Sequence, residues 1–142
     1  MNNNKITLQF KSLSKNESFV RGVISAFALT LNPSISEITD IKTAVSEAVT
    51  NAIVHAYKGT VGEVTLEAYT TDNTLHIKIS DKGIGIENID EALEPFFTTG
   101  LGDDERSGMG FTIIKSFMDD FKIESEPNKG TTVYMSKNIN SI

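Results

Sequence analysis

The spacing of hydrophobic positions changes repeatedly along this chain, and each change marks an element. Ile6, Leu8 and Phe10 alternate with Thr7 and Gln9, which predicts a short half-buried strand. Ser14-Lys15-Asn16-Glu17 has the Ser-x-x-Glu form of a capping box. The segment after it, to about Leu31, places Phe19, Val23, Phe27 and Leu31 on one face of a first helix. Asn32-Pro33-Ser34 breaks that pattern, and Ser34 with Glu37 offers a second capping box. A long helix is expected from there to Tyr57, with Gly59 as its stop. Its apolar face is Ile38, Ile41, Val45, Ala48, Val49, Ala52 and Ile53. Beyond Gly62 the period becomes two. Val64, Leu66 and Ala68, then Leu75, Ile77 and Ile79, flank the turn residues Thr71-Asp72-Asn73-Thr74, which predicts a β-hairpin.

From Glu87 to Gly110 the pattern is that of a loop, with one helical turn near Ile89–Leu93. A loop of this length in a compact domain tends to be a lid or a binding loop. A third helix is expected to begin near Gly108 or Gly110 and to carry Phe111, Ile114, Phe117, Met118 and Phe121. Phe121 to Ser125 reads as a strand, Pro127-Asn128-Lys129-Gly130 as a turn, and Thr131 to Met135 as a closing strand. The order β-α-α-β-β-loop-α-β-β predicts an α+β fold: a two-layer α/β sandwich, with three main helices on one face of a mixed sheet. Residues 1–142 read as one domain with a polar tail from about 137.

Composition narrows the function classes. With 39% hydrophobic and 23% charged residues the chain has the make-up of a soluble globular protein. The absence of cysteine excludes disulfides and thiolate metal sites, and two histidines are too few for a histidine-rich cluster. A net charge of −6 argues against a general grip on nucleic acid, while it permits basic protein partners and cations. No apolar run approaches the roughly 18 residues of a membrane helix. The N-terminus has no signal-peptide core, so the expected location is the cytoplasm.

Four polar clusters sit at the ends of these elements. On the long helix, Glu47, Asn51 and His55 follow one another at steps of four and drift only about 40° per step. They form a polar stripe beside the apolar face. Such a stripe is either a solvated helix surface or a base beside an oxygen ligand for a hard cation, and a mid-helix Asn tends to need a reason. Asp81, Gly83 and Gly85 end the second hairpin strand. They suit a tight turn, or a backbone that lets a flat ligand approach while the carboxylate accepts a hydrogen bond. Ser107-Gly108-Met109-Gly110-Phe111 opens a helix, where exposed N–H groups and the helix dipole attract phosphate, although no P-loop Gly-Lys-Ser/Thr follows. Gly130-Thr131-Thr132 is explained equally well as a turn entering a strand.

Three of these clusters together resemble the boxes of the GHKL ATPase/kinase superfamily, the gyrase and histidine-kinase type of ATP-binding (Bergerat) fold. Glu47-Ala48-Val49-Thr50-Asn51-Ala52 looks like the N box, Asp81-Lys82-Gly83-Ile84-Gly85 the G1 box and Gly108-Met109-Gly110-Phe111 the G2 box. Asn16-Glu17-Ser18-Phe19, Phe97-Thr98-Thr99, Glu105-Arg106-Ser107 and Phe117-Met118-Asp119-Asp120 extend the resemblance, from Ile6 to about Ser136, to the anti-sigma F kinases of endospore-forming bacteria. The resemblance implies ATP/ADP and Mg2+ as cofactors. Asn51 would give its amide oxygen to Mg2+, and Glu47 would be the general base. Asp81, with Gly83, Gly85 and Thr131, would hold the adenine. Thr98, Thr99, Ser107, Gly108, Met109 and Gly110 would line the phosphates, Arg106 would favour the γ-phosphate, and His55 would stay structural.

The partners implied are a sporulation sigma factor, sequestered when ATP is bound, and an anti-anti-sigma factor phosphorylated on a serine. Glu17 and Arg21, one turn apart, would belong to the partner surface, and a homodimer is implied. Their plain alternative is an (i, i+4) surface ion pair. The candidate lid Thr99-Gly100-Leu101-Gly102-Asp103-Asp104-Glu105 is more glycine-rich and acidic than that family's pattern leads one to expect. Alternatives are a stress-response anti-sigma kinase, a non-enzymatic ATP-gated sigma-binding module, and, disfavoured by length, a histidine-kinase or gyrase-type ATPase domain.

Overall fold

The computed structural model describes residues 3–86 and 110–139. Among them the chain runs β1 (Lys5–Lys11), α1 (Lys15–Ala28), a 3-10 turn (Leu29–Leu31), α2 (Ile35–Asn51), a π-helical turn (Ala52–Ala56), β2 (Glu63–Thr71), β3 (Thr74–Asp81), α3 (Gly110–Phe117), β4 (Asp120–Glu126) and β5 (Gly130–Asn138). The strands form one five-stranded sheet in the order β1-β2-β3-β5-β4. The three helices cover one face, with α2 in contact with both α1 and α3. Ile24 and Phe27 of α1, Ile41 and Val49 of α2 and Ile114 of α3 share one buried cluster with Leu66, Ile77, Ile79 and Val133 of the sheet. Alternation along β2 and β3 produces this layer directly, since every second residue turns inward.

The expected α+β two-layer sandwich is the fold observed, but the sheet is antiparallel at every described pairing rather than mixed. The helical connection does bring β4 back parallel in direction to β3. The hairpin strand β5 then inserts between them, so the two parallel strands never share a ladder.

Three local expectations shift. Ser34 and Glu37 form the capping box in full, with Ser34 N–H donating to Glu37 Oε1 at 2.8 Å and Glu37 N–H to Ser34 Oγ at 3.1 Å. Ser14 does not cap α1: its backbone is helical, at φ −57° and ψ −31°, and its side chain makes no cap bond. Glu17 instead sits 3.7 Å from Arg21. The buried face of α1 is Val20, Ile24, Phe27 and Ala28, one position round from the face expected, and Phe19 is 60% exposed. Finally, regular α-helix stops at Asn51, and the expected stretch to Tyr57 is completed by the wider π turn. Such turns within helices recur at functional sites.

Candidate functional site

A cleft of about 740 Å3, counted to its open mouth, lies between the end of α2 and the ends of β3 and β5. The helix wall is Ala48, Ala52 and Ala56, spaced by four, with Asn51 and His55 beside them. Small side chains on consecutive turns leave the space. Phe111 of α3 and Ile84 of the loop after β3 give it apolar walls.

The sheet wall ends in a polar row. Asp81 of β3 pairs in register with Thr131 of β5, which pairs with Ser125 of β4. Each stands where its strand's inward series, Ile77 and Ile79, Met135 and Val133, or Phe121 and Ile123, would continue. Asp81 Oδ1 accepts from Gly83 N–H at 2.9 Å and from Thr131 N–H at 3.2 Å. Burial nonetheless dominates these two donors and holds the carboxyl above its ordinary value.

The turn after Asp81 is pinned by the protein itself. Lys82 N–H donates to Tyr57 Oη at 2.7 Å, and Ile84 N–H donates to the Ala56 carbonyl at 2.9 Å. A Cβ on Gly83 would strike that same carbonyl, and one on Gly85, where φ is +74°, would strike the Glu126 carbonyl. The glycines expected to admit a flat ligand are therefore required by backbone packing within the chain. With their N–H groups committed, Lys82, Gly83 and Ile84 offer no backbone donors to a phosphate.

The helical stripe divides between two cavities. Asn51 and His55 line the cleft, whereas Glu47 lines a neighbouring groove between α1 and α2, together with Arg21, Lys42 and Ser46. His55, expected to be structural, is a cleft residue. Arg21 joins the expected partner helix to the groove of Glu47. Gly110 opens α3 against Asn51: a Cβ there would lie 2.8 Å from Asn51 Nδ2, an atom that is buried without a hydrogen-bond partner among the described residues. Thr98, Thr99, Arg106, Ser107, Gly108 and Met109 lie outside the described residues, as does the helical turn expected near Ile89–Leu93. Ser125 was not among the residues singled out from the sequence. The inward series of β4 ending in a polar side chain was the available signal.

Residues 11–137 match the family described as histidine kinase-like ATPase domain. Over 96% of the chain, and 95% of the relative, the sequence is 53% identical to an anti-sigma F factor of Caldanaerobacter subterraneus subsp. tengcongensis. It is likewise 53% identical to one of Clostridium acetobutylicum, covering 94% of this chain and 93% of that protein. The chain belongs to the anti-sigma F factor family of histidine kinase-like ATPase domains. Its fold is shared with the solved structure of the RsbU and RsbW domains of Rv1364c from Mycobacterium tuberculosis, at a TM-score of 0.70 and 18% identity, over 96% of this chain and 32% of that one. The mycobacterial sensor histidine kinase MprB aligns at a TM-score of 0.57 and 22% identity, over 74% of each chain.

An ATPase domain of this family implies nucleotide binding, and the cleft, open at its mouth, has a polar end at Asp81 and Thr131. Among the described residues no group of three His, Asp or Glu side chains is placed to hold a metal. Among the described residues of the helix wall, the side-chain oxygen that could meet a hard cation is the amide oxygen of Asn51. That fits Mg2+, which keeps most of its shell as water and substrate phosphate and takes few protein ligands. Among the described residues no helix is long and apolar enough to cross a membrane.

Proposed function

We propose that this protein is an ATP-dependent serine kinase that doubles as an anti-sigma factor. In this reading it holds a sporulation sigma factor in the ATP state and phosphorylates a serine of an anti-anti-sigma factor. The observation that carries the reading is the placement of Glu47. It stands one helical turn from Asn51 of the nucleotide cleft, yet in a groove shared with Arg21 on α1. A protein docked on α1 at Glu17 and Arg21 can thus present a hydroxyl to a carboxylate without entering the cleft. The near full-length identity to anti-sigma F factors supports the same assignment.

In this mechanism Asp81 and Thr131 hold the adenine, while Gly110 leaves room for the Asn51 amide to face the phosphates. Bound by Asn51 and the phosphates, Mg2+ would neutralise charge on the triphosphate and fix its geometry. Glu47 takes the proton of the substrate serine as its oxygen bonds to the γ-phosphorus. The bond from that phosphorus to the β–γ bridging oxygen breaks, and ADP leaves. A positioned base of this kind contributes about 10²–10⁴-fold. Arg106, Thr98, Thr99, Ser107, Gly108 and Met109 would complete the phosphate site.

The regulatory half is tested by capture of partners on the immobilised protein with ATP or ADP. The expected outcome is retention of the sigma factor with ATP and release when the unphosphorylated anti-anti-sigma protein is added. Capture indifferent to nucleotide contradicts it.

A further inference from the structure

Among the described residues Ser125 makes three hydrogen-bond contacts, and as two-centre bonds they can be satisfied in only one way. Its hydroxyl lies 2.8 Å from Ile86 N, 2.9 Å from the Gly130 carbonyl oxygen and 2.8 Å from Thr131 Oγ1. A serine hydroxyl has one hydrogen and two lone pairs. Ile86 N–H can only donate, and so occupies one lone pair. The Gly130 carbonyl can only accept, and so takes the one hydrogen. The contact with Thr131 is then a hydrogen bond only if Thr131 donates. With its hydrogen directed to Ser125, the Thr131 hydroxyl can offer the cleft lone pairs alone.

We infer that Ser125, which does not line the cleft, sets the base preference of the nucleotide site by locking Thr131 as an acceptor. This inference rests on the cleft holding a nucleotide with its base at Asp81. Thr131 stands directly opposite Asp81 in the sheet, and both line the cleft. In its ionised form the Asp81 carboxylate is also an acceptor, so among the described residues the base end of the site then presents two side-chain acceptors and no hydroxyl donor. A purine with a 6-amino group brings two N–H donors to such an end, directly or through a water. A 6-oxo purine brings an oxygen that finds no donor, and a buried polar group left unpaired is rejected strongly. Ser125 is thus a positioning residue for specificity. It also ties the backbone at Ile86 to the β4–β5 hairpin, and that second duty is separable by experiment.

The test compares equilibrium binding of ATP and of ITP, its 6-oxo counterpart, to the native protein, Ser125→Ala and Ser125→Thr, with thermal melting as a check on folding. The native protein should prefer ATP by on the order of a hundredfold or more. In Ser125→Ala the Thr131 hydroxyl turns freely and can donate, so the ATP-to-ITP preference should shrink by on the order of tenfold, the scale of one hydrogen bond. Ser125→Thr keeps a hydroxyl and should retain the native preference. A purely structural role weakens both nucleotides equally, so an unchanged ratio in Ser125→Ala overturns the inference and leaves the nucleotide reading standing. Should the alanine variant fail to fold, Ser125→Cys, isosteric and a weak hydrogen bonder, is read by the same ratio. A native protein that binds neither nucleotide overturns the nucleotide reading itself.

Discussion

Asp81 occupies a position that the alternation of β3 assigns to the interior. Two backbone donors favour its ionised form, but burial outweighs them and its carboxyl is held above the ordinary range. The protonated acid therefore suits the fold better than the ion does. That contribution to stability is complete below the unfolded-state pKa, about 3.9, and is lost as pH rises through the raised folded value. Asp81→Asn keeps an oxygen for Gly83 and Thr131 and carries no charge. Urea unfolding of both proteins from about pH 3.5 to 7 should show the variant gaining on the native protein as pH rises. A gain in the opposite direction contradicts the burial argument. Asp81 was legible in the sequence because a carboxylate followed by two glycines interrupts an apolar alternation. Ser125 was not, because a serine that closes the expected strand 121–125 carries no functional signal until the register places it beside Thr131. The π turn that carries His55 along the cleft depends on packing after Asn51 and leaves no mark in the spacing.

At the scale of elements, the same residue type plays opposite parts. Gly22 lies inside α1 with nothing within 4 Å of an added Cβ, whereas an added Cβ on Gly83 meets the backbone of Ala56. Gly22→Ala should raise stability by about 0.5–1 kcal/mol, since alanine is the better helix former. Gly83→Ala should lower it by about 1–3 kcal/mol, because the π turn and the β3 exit must separate. Thermal melting of the two variants checks both signs. Equal effects would remove the close approach of these segments from the account. The capping boxes teach a similar lesson. Ser34-x-x-Glu37 and Ser14-x-x-Glu17 look alike, but Arg21 sits one turn beyond Glu17 and pairs with it, and Ser14 enters the helix in helical geometry. The hairpin of β2 and β3 and the inward face of α2 were readable from periodicity alone. The phase of α1 was not, because Phe19 and Val23 match the helical period as well as Val20 and Ile24 do, and only packing chooses between them.

For the molecule as a whole, the order of elements gave the α+β layering. The pairing of the strands depended on β5 inserting between β3 and β4, a choice that no local pattern encodes. The site is likewise assembled from distant pieces: α2 faces the cleft with Asn51 and the outer groove with Glu47, and α1 adds Arg21 to the groove alone. In the proposed function that division sets the nucleotide and the docked serine side by side, at neighbouring residues of one helical stripe. The measurement that tests it most directly is transfer of labelled γ-phosphate from ATP to the serine of an anti-anti-sigma protein, by the native chain and by Glu47→Gln, with ATP affinity determined in parallel. The account predicts labelled partner with the native protein, and a loss of about 10²–10⁴-fold in rate for the variant with ATP binding nearly unchanged. Undiminished transfer by Glu47→Gln, or no label on the partner with the native protein, would contradict it.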